Sequence, residues 1–327
     1  VVAGADLVVV PELAVTGYPP RDLLLKSGFI ENNLEVVKRL AERVGETGLL
    51  VGCVGLNENQ PGRDATNSAV LLHEGRMVAA RAKTLLPTYD VFDEDRYFEP
   101  ATGNSPVKFN GLKLGLTICE DAWNDEDFWR DRRYHEDPVT QLVEMGADVL
   151  VNISASPWHL GKWRIRRDML ASLAKKSNCP VLYCNAVGGN DELVFDGRSL
   201  VLNGRGEALA IGANFSEDFV IVDLDDDSVI DLKKTGDEEL LHDGLVLGIR
   251  DYLRKCGFKA AVIGLSGGID SAVSASLAVS ALGAENVLGV AMPSQYSSKG
   301  SVEDARALAE NLGIRFDVIP IKTTFDT

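Results

Sequence analysis

Between residues 223 and 240 the chain reads DLDDDSVIDLKKTGDEEL, a charge-rich stretch with only a weak apolar pattern. The hydrophobic periodicity differs on its two sides, and that difference limits what the chain can fold into. After a helical pattern over 240–257, AAVIGL, NVLGVAMP and RFDVIPI read as strands, and SAVSASLAVSALG and SVEDARALAENLG as the helices between them. Strands that alternate with helices build a parallel sheet through crossovers. Three strands are fewer than a doubly wound domain usually holds, so this second domain is expected to be partial. Before the stretch, helix–strand units such as PVTQLVEMGADVLVNISAS and RIRRDMLASLAKKSNCPVLYCNAVGG are mixed with hairpins. These are TNSAVLLHEGRMVAARAKTLLP, turning at Gly75, and RSLVLNGRGEALAIGA, turning at Asn203-Gly204; DFVIVDLD reads as a further strand. That mixture predicts two sheets packed face to face with helices outside. The expected domains are 1–225 and 240–327, with an acidic linker over 226–239.

The chain has 327 residues, 45% of them hydrophobic, enough for two cores. Its net charge of −16, from 49 acidic against 33 basic residues, argues against nucleic acid as a partner, because sequence-independent binding needs basic patches. No apolar run approaches the ~20 residues of a spanning helix, so no membrane role is expected. The start, VVAGADLVVVPEL, has no basic segment of a signal peptide. The five cysteines form no C-x-x-C pair and the four histidines are scattered, which excludes a structural zinc motif. Cys53, Cys179, Cys184 and Cys256 read as small buried hydrophobes, and a reducing cytoplasm suits them.

GLSGGIDSAV, at 264–273, carries two signatures at once. Gly264, Ser266 and Gly268 fit the G-x-S-x-G elbow of a serine hydrolase. The same residues fit a glycine-rich loop that wraps a phosphate. The elbow needs a histidine after the serine in the chain, and His73, His135, His159 and His242 all precede Ser266. The phosphate reading fits better: Gly267 and Gly268 free backbone N–H groups to meet an anion, and the helix that follows adds its positive end. Ser266 and Ser271 add hydroxyl donors. Asp270 is compatible with phosphate when Mg²⁺ lies between them.

The first domain offers its own nucleophile. Cys119, in GLTICEDAW, ends an apolar strand; Glu12, in VVVPEL, and Lys83, in RAKTLLP, end two others. A carboxylate that takes the thiol proton and an ammonium that stabilises an oxyanion would complete a site for acyl transfer. The bland reading of each is a strand-end residue.

The SGGIDS loop resembles the pyrophosphate loop of the ATP-pyrophosphatase superfamily, whose members adenylate a carboxylate or carbonyl. The blocks PEL…GYPP, K-x-x-L-P and ICED resemble the nitrilase (carbon–nitrogen hydrolase) family. That resemblance implies an αββα sandwich with Glu12 as base, Lys83 as electrophilic helper and Cys119 as nucleophile. It also implies an oxyanion donor in the backbone N–H of Glu120 and a second acid, Glu94, beside the lysine. YPPRDLLL, LPTYDVFDEDRYFEP, SASPWHLGK and MPSQYSSKGSVEDA together resemble the glutamine-dependent NAD⁺ synthetase family across nearly the whole chain. The fold so implied is the sandwich followed by a partial doubly wound domain of the adenine nucleotide α-hydrolase type. The resemblance further implies glutamine contacts from Tyr89, Ser156 and Lys162. It implies ATP contacts from Gly264, Leu265, Ser266, Gly267, Gly268, Ile269, Asp270 and Ser271, and Mg²⁺ on Asp270. The implied small-molecule partners are glutamine, ATP and deamido-NAD⁺, and the implied assembly is a homo-oligomer. Members of that family carry another strand and helix before the Glu12 strand and more chain after the third strand of the second domain, so a piece of a longer protein is expected.

Overall fold

The structure, a computed structural model, describes residues 4–58 and 61–321. The outermost residues of the two expected domains, 1–3 and 322–327, lie outside that range. The chain divides into two compact units, Val1–Val187 with Phe195–Lys234, and Gly188–Val194 with Thr235–Thr327.

The first unit begins with β1 (Leu7–Val9), α1 (Phe29–Ala41), β2 (Gly48–Leu56), β3 (Ala65–His73) and β4 (Arg76–Ala82). Its first sheet runs β1-β2-β3-β4, with β1 parallel to β2 and the others antiparallel. There follow β5 (Val107–Phe109), β6 (Leu112–Ile118), α2 (Pro138–Glu144), β7 (Val149–Ser154), α3 (Lys162–Ser177), β8 (Val181–Asn185), β9 (Val187–Asn190), β10 (Leu193–Asp196), β11 (Leu200–Leu202) and β12 (Ala208–Ile211). The second sheet runs β12-β11-β8-β7-β6-β5, parallel at β6, β7 and β8. The helix starts are encoded locally. Asp137 caps α2 by accepting from Thr140 N, with Pro138 at the first helical position, where its missing N–H costs nothing.

Side-chain parity sorts the strands into layers, because successive residues of a strand face opposite sides. Leu50, Ala69 and Leu71 of the first sheet share a core with Leu114, Leu116, Ile118, Val149, Val151 and Ile153 of the second. The alternate residues Val51, Cys53, Val70 and Leu72 face the other way and bury Val37 and Ala41 of α1. On the far side of the second sheet, Leu150, Val181, Leu200 and Leu202 pack on Leu142 of α2 and on Met169, Leu170 and Leu173 of α3. The unit is therefore the expected αββα sandwich.

In the second unit α4 (Asp237–Lys255) precedes β13 (Ala261–Gly264), α5 (Ile269–Leu282), β14 (Val287–Ala291), α6 (Lys299–Leu312) and β15 (Arg315–Val318). The three strands are parallel in the order β13-β14-β15. Leu265, Ala275, Ala278, Val287, Ala305, Ala309 and Ile314 form the core between them and α5 and α6. This unit also takes in residues 188–194: Asp251 of α4 accepts from Gly189 N at 2.9 Å, and Lys255 Nζ donates to Gly189 O at 2.6 Å.

Two expectations fail. DFVIVDLD is not a strand; Phe219, Val220 and Ile221 are exposed. Aspartates on either side satisfy backbone donors locally instead. Asp218 accepts from Ala213 N and Phe219 N, and Asp223 from Asp225 N. Such short-range bonds compete with a ladder. Cys256 is exposed at the end of α4 and Cys184 half-buried, so only Cys53 and Cys179 are the buried hydrophobes expected. The segment after 225 follows the first unit for several residues: Ile230 N donates to Ala208 O at 2.8 Å, and Arg205 pairs with Asp227 at 3.2 Å.

The sandwich brings strand ends together. β4 is antiparallel to β3, which is antiparallel to β2, so β1 and β4 end on the same edge of their sheet. Close approach near that edge depends on Gly52 of β2. A Cβ there would lie 2.3 Å from Leu13 N, 2.5 Å from Pro11 O and 2.7 Å from the carbonyl carbon of Glu12. These neighbours are backbone and cannot swing aside. Gly52→Ala is expected to cost about 1–3 kcal/mol, the usual range for overpacking, read as a lowered urea midpoint; an unchanged midpoint would refute this dependence.

Candidate active site

Three ionisable side chains from three segments meet in the interior of the first unit. Lys83, just past β4, is fully buried, and Glu12 and Glu94 are 1% and 5% exposed. Lys83 Nζ donates to Glu12 Oε1 at 2.9 Å and to Glu94 Oε1 and Oε2 at 2.7 and 2.9 Å. Asn67 of β3 donates through Nδ2 to Glu12 Oε1 at 2.7 Å and to Glu94 Oε2 at 3.3 Å. Tyr18 OH donates to Glu94 Oε1 at 2.8 Å, and Ala155 N to Glu12 Oε2 at 2.7 Å. Burial alone would strip the proton from Lys83; Glu12 and Glu94 outweigh it and hold the ammonium well above its usual range. Burial, with Glu12 beside it, raises Glu94 against the opposing pull of Lys83.

Cys119 opens a short 3-10 turn, Cys119–Ala122, at the end of β6. Its φ of 44° is left-handed, a conformation that costs a side-chain-bearing residue energy and clusters at functional sites. The thiol is buried, and burial followed by the charge of Glu12 pushes it far above the ordinary thiol range, with Lys83 opposing. The resting group is thus a neutral thiol within electrostatic reach of Glu12, Lys83 and Glu94. Glu120 N, at the start of the turn, is among the N–H groups that have no partner within a helical turn.

Of the other expected residues, Tyr89 and Lys162 are within electrostatic reach of the thiol. Tyr89 OH donates to Glu120 Oε1 at 2.7 Å and Tyr134 OH to the same atom at 3.0 Å. Ser156, past β7, is 2% exposed and its N–H donates to Asn185 Oδ1 at 3.0 Å. Lys162 Nζ, at the start of α3, donates to Pro157 O at 2.8 Å. Burial, then the nearby Arg166, pulls its ammonium down to about 8. Sequence reasoning passed over Asn67, Tyr18 and a buried network of Arg166, Asp196 and Asn185. Arg166 Nη1 meets Asp196 Oδ1 at 3.0 Å, and Asn185 Nδ2 donates to the same oxygen at 3.1 Å. The polar run Thr66-Asn67-Ser68 within a fully buried strand was the available signal for Asn67.

The second unit carries a different kind of site. The loop from β13 to α5 is exposed except at Leu265, whose side chain is 3% exposed in the core and leaves only its backbone to a ligand. Gly267 has φ 80°, and a Cβ on it would lie 2.5 Å from Ser301 O, so both conformation and space require glycine. Ser271 Oγ lies 3.1 Å from Ser266 Oγ, and Gly268 N donates to Ser266 Oγ at 3.2 Å. Among the described residues, none of the Ser266 hydrogen bonds goes to a histidine. Exposed backbone at the N-terminal end of α5 can receive an anion. Asp270 stands in the first turn of that helix, and among the described residues no cluster of three His, Cys, Asp or Glu could hold a metal alone. One protein carboxylate suits Mg²⁺, which takes one or two and completes its shell with phosphate and water. No helix of the described residues is long and apolar enough to cross a membrane.

Comparison with known proteins matches residues 1–234 to the carbon–nitrogen hydrolase model and residues 241–327 to the NAD synthase model. A glutamine-dependent NAD⁺ synthetase of Synechocystis is 46% identical over 97% of this chain and 59% of its own length. One from Thermotoga maritima is 39% identical over 98% and 60%. The solved structure of the glutamine-dependent NAD⁺ synthetase of Acinetobacter baumannii with ADP matches with a TM-score of 0.90 at 35% identity, over 99% of this chain and 60% of that one. The chain thus spans about 60% of the length of these curated relatives.

The buried cluster makes a testable demand. Lys83→Met leaves Glu12 and Glu94 without their cation, and breaking a buried pair this way costs about 3–5 kcal/mol. Carboxyls with folded pKa values above the unfolded value give stability that is full below the unfolded ~4.3 and is lost as pH rises. The deficit of Lys83→Met in urea unfolding should therefore narrow as pH falls from 7 toward 5. A deficit independent of pH would contradict the assignment of the cluster's charges.

Proposed function

We propose that this chain, which belongs to the carbon–nitrogen hydrolase family, is the glutaminase part and the first portion of the adenylating part of a glutamine-dependent NAD⁺ synthetase. The observation that carries the reading is the buried, hydrogen-bonded Glu12–Lys83–Glu94 cluster beside a buried thiol. The names of the relatives support the substrate, and the NAD synthase match supports the second reaction.

Cys119 is protonated at rest, so attack on the side-chain amide carbon of glutamine needs a base. Glu12 takes the thiol proton as the C–S bond forms. The oxyanion is stabilised by Lys83 and by the N–H of Glu120, donors that need no reorganisation. The proton then passes to the leaving nitrogen, ammonia departs, and the thioester remains. Water, deprotonated by Glu12, hydrolyses it to glutamate and restores the thiol. Glu94, with Tyr18 and Asn67, fixes the ammonium of Lys83. Tyr89, Ser156 and Lys162 hold glutamine, with the Lys162 ammonium paired to its carboxylate.

In the second unit the loop Gly264–Ser271 holds the phosphates of ATP. ATP adenylates the carboxylate of deamido-NAD⁺ and releases pyrophosphate; ammonia displaces AMP and leaves NAD⁺. Mg²⁺, held by Asp270, would neutralise phosphate charge there. The backbone of Leu265, Gly267, Gly268 and Ile269 and the hydroxyls of Ser266 and Ser271 supply the remaining contacts. Unpaired cysteines suit a cytoplasmic site of action, and a homo-oligomer is the assembly proposed.

Cys119→Ala in the intact protein should abolish NAD⁺ formation from glutamine and leave formation from concentrated ammonium salt within about threefold, because the adenylating loop is untouched. Loss with both nitrogen sources, or with neither, would overturn the division of labour. Lys162 loses its proton as pH rises through about 8, so the KM for glutamine should climb above that pH. Lys162→Arg keeps its charge and should flatten the climb. A KM that is level from pH 7 to 9 in the unaltered protein would exclude Lys162 as the carboxylate partner.

A further inference from the structure

Asp121 has no part in the chemistry described above, yet it joins the two segments that carry it. Its side chain is 1% exposed. Oδ1 accepts from Thr84 N at 3.0 Å and from Leu85 N at 2.8 Å, the two residues that follow Lys83. Oδ2 accepts from Ile118 N at 3.0 Å, the residue before Cys119. All three donors are backbone groups, so the carboxylate fixes main chain rather than mobile side chains.

We propose that Asp121 is a positioning residue that sets the Lys83 segment against the Cys119 turn, so that ammonium and thiol keep one relative place through catalysis. Three features carry this. The donors flank the two functional residues in sequence. Burial raises this carboxyl to about 7, and the three backbone donors pull the other way by favouring its ionised form, to which hydrogen bonds are among the stronger ones in a protein interior. The left-handed Cys119 backbone persists only where its surroundings over-determine it, and the bond from Ile118 N ties the turn to the residue just before it. Lys83 and Cys119 come from different sheets, and this single side chain spans them directly. The inference rests on the reading of Cys119 as nucleophile and Lys83 as its electrophilic partner.

Asp121→Asn is nearly isosteric but turns an NH₂ toward at least one N–H donor, which loosens one segment and keeps the volume. In the intact protein, functional sites are counted as Cys119 labelled by a glutamine-mimicking chloroketone, using mass spectrometry. Turnover of glutamine is then expressed per labelled site. A positioning role predicts a fall in kcat per site of about a hundredfold, the cost of an ångström-scale misplacement, with KM within about threefold. A residue that only stabilises the fold would lower the number of sites and leave turnover per site unchanged; that result, or a loss confined to KM, overturns the proposal. Should the unaltered protein hydrolyse no glutamine, the functional reading fails by itself. The positioning claim is then decided by iodoacetamide, whose reaction with Cys119 should slow at least about tenfold in Asp121→Asn and must not stay equal or quicken. Should the variant not fold, hydrogen exchange of the unaltered protein decides. Slow, concerted exchange of Thr84, Leu85 and Ile118 amides upholds the clamp, and free exchange of any of them overturns it.

Discussion

The structure depends first on a lysine ammonium buried away from bulk solvent. Taking the charge of Lys83 out of solvent costs several kcal/mol, and only carboxylates at hydrogen-bond distance can offset it. Glu12 comes from the end of β1 and Glu94 from the loop after β4, so the offset exists only when the first sheet is complete and that loop is laid across it. The two carboxylates repel each other in turn. Lys83 and Asn67, which donate to both, and Tyr18, which donates to Glu94, are what make their proximity tolerable. The integrity of the cluster and the correct assembly of this unit are thereby one physical condition.

That condition also decides the chemistry of the thiol. Many reactive cysteines are poised as thiolates by nearby positive charge. Cys119 is in the opposite situation: burial and a surplus of carboxylate keep it protonated. A thiol held this way is a poor nucleophile until a base takes its proton, which is the part the proposed mechanism gives to Glu12. The loop of the second unit follows a contrary design. It is exposed, it offers backbone N–H groups and two serine hydroxyls, and Gly267 and Gly268 leave its backbone uncovered by side chains.

The layers of both units were legible because strand parity and helical spacing are local properties that survive into the fold. The hairpins at Gly75 and Asn203-Gly204 were legible for the same reason. DFVIVDLD shows where such reading stops. Its run of four apolar residues is strand-like, but Asp218 and Asp223 take backbone donors that a ladder would need, and composition does not register that competition. At the site, Glu12, Lys83 and Cys119 stood out through motif resemblance and strand-end position. Asn67 and Tyr18 did not, because a polar residue inside a strand or a tyrosine in a loop acquires meaning only when something 27 or 76 residues away arrives beside it. Leu265 errs the other way: it lies inside the loop motif, yet its side chain belongs to the core.

The border between the two units is crossed by the chain more than once. Residues 188–194 leave the first unit just after Val187, group with α4 through Asp251 and Lys255, and return at Phe195. The later passage at 234–235 is therefore the third crossing, not a lone tether. A piece ending at Lys234 would carry off seven residues the other unit is built with, leaving the carboxylate of Asp251 without the N–H it caps and β9 and β10 without the helix they lie on. The boundary between the two family matches, at 234–241, and the boundary set by contact are therefore different places, and the hairpin belongs to one by sequence and to the other by contact.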